Sequence, residues 1–430
     1  MQFQAVKGTR DFYPEEMALR NWLTDAWRRV SLRNGFVEFD GPVLEYLDLF
    51  RAKSGDEIVS QLFSFTDRGG RQLALRPEIT PTLARMVAAR ISSLPRPIKW
   101  FSIPTCFRAE NPQRGRTRDF LQWNVDYIGS YDVLADAECI FTAVDFLAEL
   151  KLTPKDVVVR IGSRPLTAAA LGKVGVPEKG MEAALAALDK RPRVSQEDFI
   201  KIATDAGIPR RGIEPLCRFQ DAADLSAVAE ILQADNSAAD EIGKLDSLMG
   251  YLDNMGVGGY CRLDMRMVRG LAYYTGIVYE IFDATESLRA IAGGGRYDNL
   301  LEVVGGPEIG ATGFGMGDPA LTILLKEKGK LPELAARLDC FVADDGQGAV
   351  GGILGLVGRL RRAGIAADFS AKRQPLGKQL KEANRRNARF AVIVRGDAVA
   401  VRDLHAGRQT EMPRQEFLRH PRKHLYQAGD

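Results

Sequence analysis

Histidine is almost absent from this chain of 430 residues: there are three, His405, His420 and His424, all close to the C-terminus. Residues 1–404 therefore cannot host a Ser-His-Asp triad, a histidine proton shuttle or a histidine-ligated metal. Cysteine is nearly as scarce. Cys106, Cys139, Cys217, Cys261 and Cys340 are scattered with no CxxC pair, which argues against a disulfide framework or a cysteine-rich zinc site and fits a reducing cytoplasm. No apolar run approaches membrane-span length, and MQFQAVKGTRDF lacks a charged-then-apolar signal pattern, so no membrane association is expected. Glycine patterns of the form GxGxxG after a parallel strand, or GxxxxGK followed by Ser or Thr, are also missing, which disfavours Rossmann and Walker nucleotide sites. Chemistry in the body of the chain is left to carboxylates, arginines, tyrosines and a hydrated Mg²⁺.

What is present is ordinary in amount and uneven in placement. Hydrophobic residues make up 45% and charged residues 27%, enough for a sizeable core in two or three domains. From Leu334 to Asp430 there are 18 Lys+Arg against 10 Asp+Glu, a net +8, which leaves 41 against 46, or −5, for residues 1–333. A mildly acidic body with a basic tail suggests a polyanion at the tail.

Periodicity places the elements. Leu19, Trp22, Leu23, Ala26, Trp27 and Val30 fall on one face of a helix over Pro14–Asn34, stopped by Gly35. GFVEFDGPVLEYLDLF reads as an extended strand and a further short element. Strands are expected at Gln72–Arg76, Ile98–Arg108, Phe120–Ile128, Asp156–Ile161, Cys261–Val268 and Ala272–Phe282, with helices at Pro81–Ile91 and Ala135–Leu150. Residues 165–254 read as a helical insertion broken at Gly175, Pro192 and Pro209. After a linker at Lys328–Pro332, CFVAD, a helix to Arg362, IAADF, LGKQLKEANRR and FAVIV alternate as a small α/β domain.

Polar alternation on the strands carries the chemistry. In LQWNVDYI, period two sets Gln122, Asn124 and Asp126 on one face. In the same way Arg108 and Glu110 share a face of CFRAE, and Arg76, Glu78 and Thr80 share one of LRPEIT. Singly, each reads as a half-exposed antiparallel strand with a solvated polar face; together they read as the floor of a site. The loop NPQRGRTRD adds Arg114, Arg116 and Arg118, and arginine offers a planar fork of charge-assisted donors suited to phosphate. Further on, RGLAYYTG combines Arg269 with two tyrosines, and the glycines of GGGRYD let backbone lie close to a ligand.

These segments together resemble class II aminoacyl-tRNA synthetases, and within them the histidyl-tRNA synthetase family, over essentially the whole chain. KGTRDFYPEE, GFVEFDGPVLE (motif 1), LRPEIT, CFRAENPQRGRTRDFLQ (motif 2), RGLAYYTGIVYE and AGGGRYDNL come in the family's order, and RRAGIAADFS with PLGKQLKEANRRNARFAVIV resembles its anticodon-binding domain. The resemblance implies an α+β fold: an antiparallel-sheet catalytic domain over 1–328 with a helical insertion at 165–254, and a C-terminal anticodon-binding-like α/β domain over 333–430. It implies a cytoplasmic homodimer that activates L-histidine with ATP and Mg²⁺ and charges tRNA(His).

The resemblance also implies roles. Arg108 and Arg269 would stabilise charge at the α-phosphate, with Glu110, Gln113 and Arg116 on ATP. Glu78 would bind the α-ammonium, near Thr80 and Gln122; Asp126, Tyr273 and Tyr274 would address the imidazole. Three departures stand out: Asp318 and Pro319 in GFGMGDPAL where the family has Glu and the Arg that grips the γ-phosphate, Ala272 where Asp is usual, and VRGDAVA in the tail. With another basic residue, for instance from the motif 2 loop, replacing that arginine, the chain reads as an active ligase. The alternative is a non-charging regulator, either a histidine sensor like the regulatory subunit of ATP phosphoribosyltransferase or a sensor of uncharged tRNA.

Overall fold

The computed structural model describes residues 3–52, 61–233, 235–268, 274–334, 338–344, 350–372 and 374–426. It divides into two compact units, Met1–Leu331 and Pro332–Asp430.

The first unit is built on a mixed, mostly antiparallel sheet. Its strands are β1 (Val37–Glu38), β5 (Ile98–Ser102), β6 (Thr105–Phe107), β7 (Asp119–Ile128), β8 (Val157–Ser163), β9 (Cys261–Leu263), β10 (Ile277–Asp283), β11 (Ala292–Arg296) and β12 (Ala311–Gly317). They run β1-β5-β7-β12-β11-β10-β8-β9, with β6 paired to β7; only β1–β5 and β8–β9 are parallel. A separate small sheet holds β2 (Leu44–Tyr46), β4 (Gln72–Leu75) and β3 (Ser64–Thr66), in that order.

One face of the large sheet is covered by the helices Pro14–Arg33 and Leu134–Glu149. Trp123 of β7 enters that layer, 6.0 Å from Trp27 and edge-on to Phe146 and Phe314, and its indole N–H donates to Ser31 Oγ at 2.9 Å. An indole buried without such an acceptor would lose a hydrogen bond to water with nothing in exchange. Helices from Arg164–Lys173 to Asn236–Asn254 form the insertion and share this core. Ser163, Ser195, Asp224 and Asp235 cap four of them by accepting backbone N–H groups that the first turn leaves unpaired.

The expected strand at Cys261–Val268 stops at Leu263, because Asp264 turns the chain by accepting from Arg266 N at 3.0 Å. The strand expected from Ala272 begins at Ile277; residues 269–273 lie outside the described ones.

In the second unit β13 (Leu338–Asp344), β14 (Ala367–Phe369), β15 (Ala388–Arg395), β16 (Ala398–Asp403) and β17 (Gln409–Pro413) run β14-β13-β15-β16-β17, parallel about β13 and antiparallel beyond β15. Helix Val350–Arg362 covers one face and Leu376–Arg385 the other. In VRGDAVA, Gly396 with φ +58° and Asp397 form the two-residue turn between β15 and β16, a backbone shape that favours glycine.

Candidate active site

β7 lies at the middle of the site. Its alternation is real, but the polar face is buried rather than solvated: Asn124 and Asp126 are 3% and 2% exposed. Beside them in the sheet runs β12, whose glycines stand opposite. Gly313 pairs with Asp126, Gly315 with Asn124 and Gly317 with Gln122. A Cβ on Gly313 would lie 2.5 Å from Asp126 Oδ1, and one on Gly315 2.6 Å from Gln122 Nε2. The glycines make room for three polar side chains in a closed layer.

β11 repeats the device for aromatics. A Cβ on Gly294 would meet the Tyr279 hydroxyl at 2.7 Å, and one on Gly295 the Tyr274 ring at 2.9 Å. These two glycines, expected to let backbone lie close to a ligand, also seat Tyr279 and Tyr274. The rest of GGGRYD is anchored from behind. Arg296 uses all five N–H donors on Asp136, Asp298 and the carbonyls of Ser130 and Asp132. That anchor fixes Tyr297, whose hydroxyl donates to Asp126 Oδ1. Tyr297 was not among the residues singled out, although the motif that contains it was.

Glu78 and Thr80 are buried, but not on a strand: β4 ends at Leu75, and Thr80 opens the helix Thr80–Ala88 because Pro77 and Pro81 suit a turn and a first helical turn. Arg76, of the same segment, is a tie. It donates to Thr105 O, Asp40 Oδ1 and Gly41 O at 2.7–3.0 Å, joining three loops.

Arg108 and Glu110 likewise leave the strand, since β6 ends at Phe107. The Arg108 guanidinium lies 5.0 Å from the Phe120 ring centroid and its Nε donates to Pro77 O at 3.3 Å. That contact brings it beside Glu78. The loop then turns tightly through Arg114 and Gly115 (φ +73°), with Gln113 and Arg116 exchanging backbone hydrogen bonds. Arg116 pairs with Glu110, and Arg114 with Glu327. Burial, and next the guanidiniums of Arg289 and Arg108, lower the Arg116 pKa to about 10.

Among the described residues no carboxylate pairs with Arg108 or Arg289, so of these three guanidiniums only that of Arg116 has a carboxylate partner, Glu110. Such a cluster attracts a polyanion. The structure therefore brings Arg108, Glu110, Gln113 and Arg116 together, and Glu78 next to them. Gln122 and Asp126 line the adjacent β7 face and Tyr274 backs β11. Arg269 and Tyr273 lie outside the described residues, as does Ala272.

Asp318, a departure from the expected pattern, has a clear task. It accepts from Arg10 Nη1 (2.7 Å) and Nη2 (3.2 Å) and from Leu121 N (2.7 Å), tying the N-terminal segment and β7 to the start of helix Asp318–Glu327. A carboxylate there also faces the positive end of the helix.

The family model described as histidyl-tRNA synthetase matches residues 8–320. The chain belongs to the histidyl-tRNA synthetase family. A second model, described as an anticodon binding domain, matches residues 344–423 of this family member. The histidine–tRNA ligase of Opitutus terrae is 40% identical over 424 residues, covering 96% of this chain and 97% of that protein. A histidyl-tRNA synthetase crystal structure from Nostoc superposes with a TM-score of 0.83 at 22% identity, covering 99% of this chain and 100% of that one. A Bacillus halodurans structure described as an ATP phosphoribosyltransferase regulatory subunit/histidyl-tRNA synthetase gives 0.73 at 22% identity, over 86% and 93%. At those identities the two structures establish the fold. No described helix is long and apolar enough to cross a membrane.

Proposed function

We propose that this chain is a histidine–tRNA ligase, which joins L-histidine to ATP as histidyl-adenylate and passes the histidyl group to tRNA(His). The observation that carries the reading is a cluster of three guanidiniums, Arg108, Arg116 and Arg289, of which only Arg116 has a carboxylate partner among the described residues, in the same unit as a buried acceptor, Asp126, held by Tyr297. In the first step a histidine carboxylate oxygen attacks the α-phosphorus and the bond to the β-phosphate oxygen breaks, releasing pyrophosphate. Arg108, with Arg269, neutralises the charge that accumulates at the α-phosphate; this is fixed-dipole and positioning chemistry that needs no protein histidine. Glu110, Gln113 and Arg116 hold ATP. Glu78 takes the α-ammonium, with Thr80 and Gln122 beside it, while Asp126, Tyr273 and Tyr274 read the imidazole. In the second step a terminal ribose hydroxyl of the tRNA attacks the carbonyl carbon and AMP leaves.

Mg²⁺ would be carried by the phosphates of the nucleotide and would supply charge neutralisation as pyrophosphate leaves. Residues 1–328 serve as the catalytic domain, 165–254 as its helical insertion and 333–430 as the anticodon reader. Exposed Val37, Val43, Leu44, Tyr46 and Phe65 on β1 and the small sheet support a homodimer formed through this apolar face. Free and mostly buried thiols fit a cytoplasmic setting.

The regulator reading is not favoured, since a relative 40% identical across the chain is named a histidine–tRNA ligase and an anticodon-binding match is present. Histidine-dependent ATP–pyrophosphate exchange, followed by charging of tRNA(His), tests the proposal. Folded protein that shows no exchange at millimolar ATP and histidine refutes it; tRNA retention without charging favours the sensor instead. A monomer by sedimentation at micromolar concentration refutes the dimer.

A further inference from the structure

Pro319 occupies the position where the family pattern has its last arginine, so the outer phosphates of ATP need another cation. None of the motif 2 loop arginines meets the need well: Arg114 is paired with Glu327, Arg116 with Glu110, and Arg118 donates to the Glu110 and Lys7 carbonyls. A cation comes from a different place. Arg289 lies on the connection between β10 and β11, is exposed, and donates to Gln113 Oε1 at 2.7 Å.

The position of Arg289 follows from pairing. β11 and β12 are antiparallel with Ala292 opposite Met316, and the pairing goes one residue further, Gly317 N donating to Ile291 O at 3.1 Å. Arg289, two residues before Ile291, thus lies at the end of the sheet where β12 gives way to the helix Asp318–Glu327 that holds Pro319. The connection itself is held by Asp283, which accepts from Thr285 Oγ1, from Ser287 N and Oγ and from Leu288 N. The side chain thus projects from a braced hairpin toward the motif 2 loop and has no carboxylate partner among the described residues.

We infer that Arg289 is the cation for the β- and γ-phosphates of ATP, supplied from the connection that leads into β11 rather than from the residue that follows β12. This rests on the ligase reading for the identity of the nucleotide. Gln113 holds the guanidinium in place before ATP arrives, and Arg108, which also has no carboxylate partner among the described residues, adds a second guanidinium for the phosphates.

The test is titration of the full chain with ATP and, separately, with AMP, which has no outer phosphates. Arg289→Ala should weaken ATP by about 10-fold or more and leave AMP within about twofold of the parent. Adding Pro319→Arg to that variant should recover part of the ATP affinity, since it returns a guanidinium to the first turn of the helix after β12. Unchanged ATP affinity, equal losses for ATP and AMP, or a parent chain that does not bind ATP would each overturn the inference. A parent that binds ATP yet shows no histidine-dependent exchange sinks the ligase reading alone, because the ATP-to-AMP comparison still reports on Arg289.

Discussion

Arg296→Met keeps most of the aliphatic volume of the side chain and deletes five N–H donors. Nε and Nη2 reach Asp136 Oδ2 at 3.1 and 2.5 Å, Nη1 reaches Ser130 O at 2.8 Å and Asp298 Oδ1 at 3.2 Å, and Nη2 also reaches Asp132 O at 2.9 Å. Asp136 is 0% exposed, so the substitution leaves a carboxylate buried without its cation. Breaking a buried pair from one side costs about 3–5 kcal/mol, out of a total stability on the order of 5–15 kcal/mol. Asp298 keeps partners of its own in Thr275 Oγ1 and Ala311 N, which confines the damage to Asp136.

Two controls sharpen the expectation. Asp136→Asn with Arg296→Met removes the stranded charge and should recover about 2 kcal/mol or more of the loss. The second control is pH. Burial raises the Asp136 pKa above its unfolded value, and Arg296 offsets part of the rise. Without Arg296 the folded-state pKa climbs further, so on acidification the folded variant takes up a proton before the unfolded chain does. Stability of the variant is then gained as pH falls through that raised pKa, and the cost should be smaller at about pH 5.5 than at about pH 8. Urea unfolding followed by tryptophan fluorescence reads both. A loss under about 1 kcal/mol, or a cost that grows on acidification, would refute the reasoning.

Three other expectations follow from the site. Tyr297→Phe removes the donor to Asp126 and should raise the KM for histidine about 10-fold with the KM for ATP unchanged in pyrophosphate exchange; an equal effect on ATP would place Tyr297 elsewhere. Gly315→Ala meets only the ends of Gln122 and Asn124, whereas Gly313→Ala also meets Val125 O at 2.5 Å. The first should weaken histidine binding at little cost in stability; the second should cost about 2 kcal/mol or more in thermal or urea unfolding, because backbone must move. Burial raises the Cys106 thiol pKa to about 12, so a thiol-alkylating reagent at mildly alkaline pH should modify it only after unfolding, as mass spectrometry of native and urea-treated protein would reveal.

Long periodic segments were legible in the sequence because their faces answer to one core. The first helix, expected at Pro14–Asn34, spans Pro14–Arg33, and the strand expected at Phe120–Ile128 spans Asp119–Ile128. Singly, Gln122, Asn124 and Asp126 read as a wet face and, with the other strands, as the floor of a site; that Asn124 and Asp126 are buried while Gln122 is half-buried depends on neighbouring elements that one strand does not reveal. Arg108, Glu110 and Thr80 were placed on strands by local pattern, but the strands end where Pro77 and the arginine-rich turn take over. Arg289 carried no local signal, since what matters is its contact with Gln113, 176 positions away, and that is a property of the fold. Arg10 and Asp318 are a similar case, a pair separated by 308 positions.

That separation bears on how the protein is made. A ribosome delivers Arg10 about 15–60 s before Asp318, at roughly 5–20 residues per second. Over that interval the Arg10 side chain has only Asp119 as a carboxylate neighbour, and β7 lacks the acceptor for Leu121 N. Asp318 thus adds a late side-chain tie between the N-terminal segment and β7, beside the backbone pairing of β7 with β12. A nascent or prematurely terminated chain that ends before it carries the arginine-rich loop without the latch that holds it to the rest. The Asp318 contact makes the domain a structure that closes once, at the end of its synthesis, and a truncated product is left open to the cell's quality control.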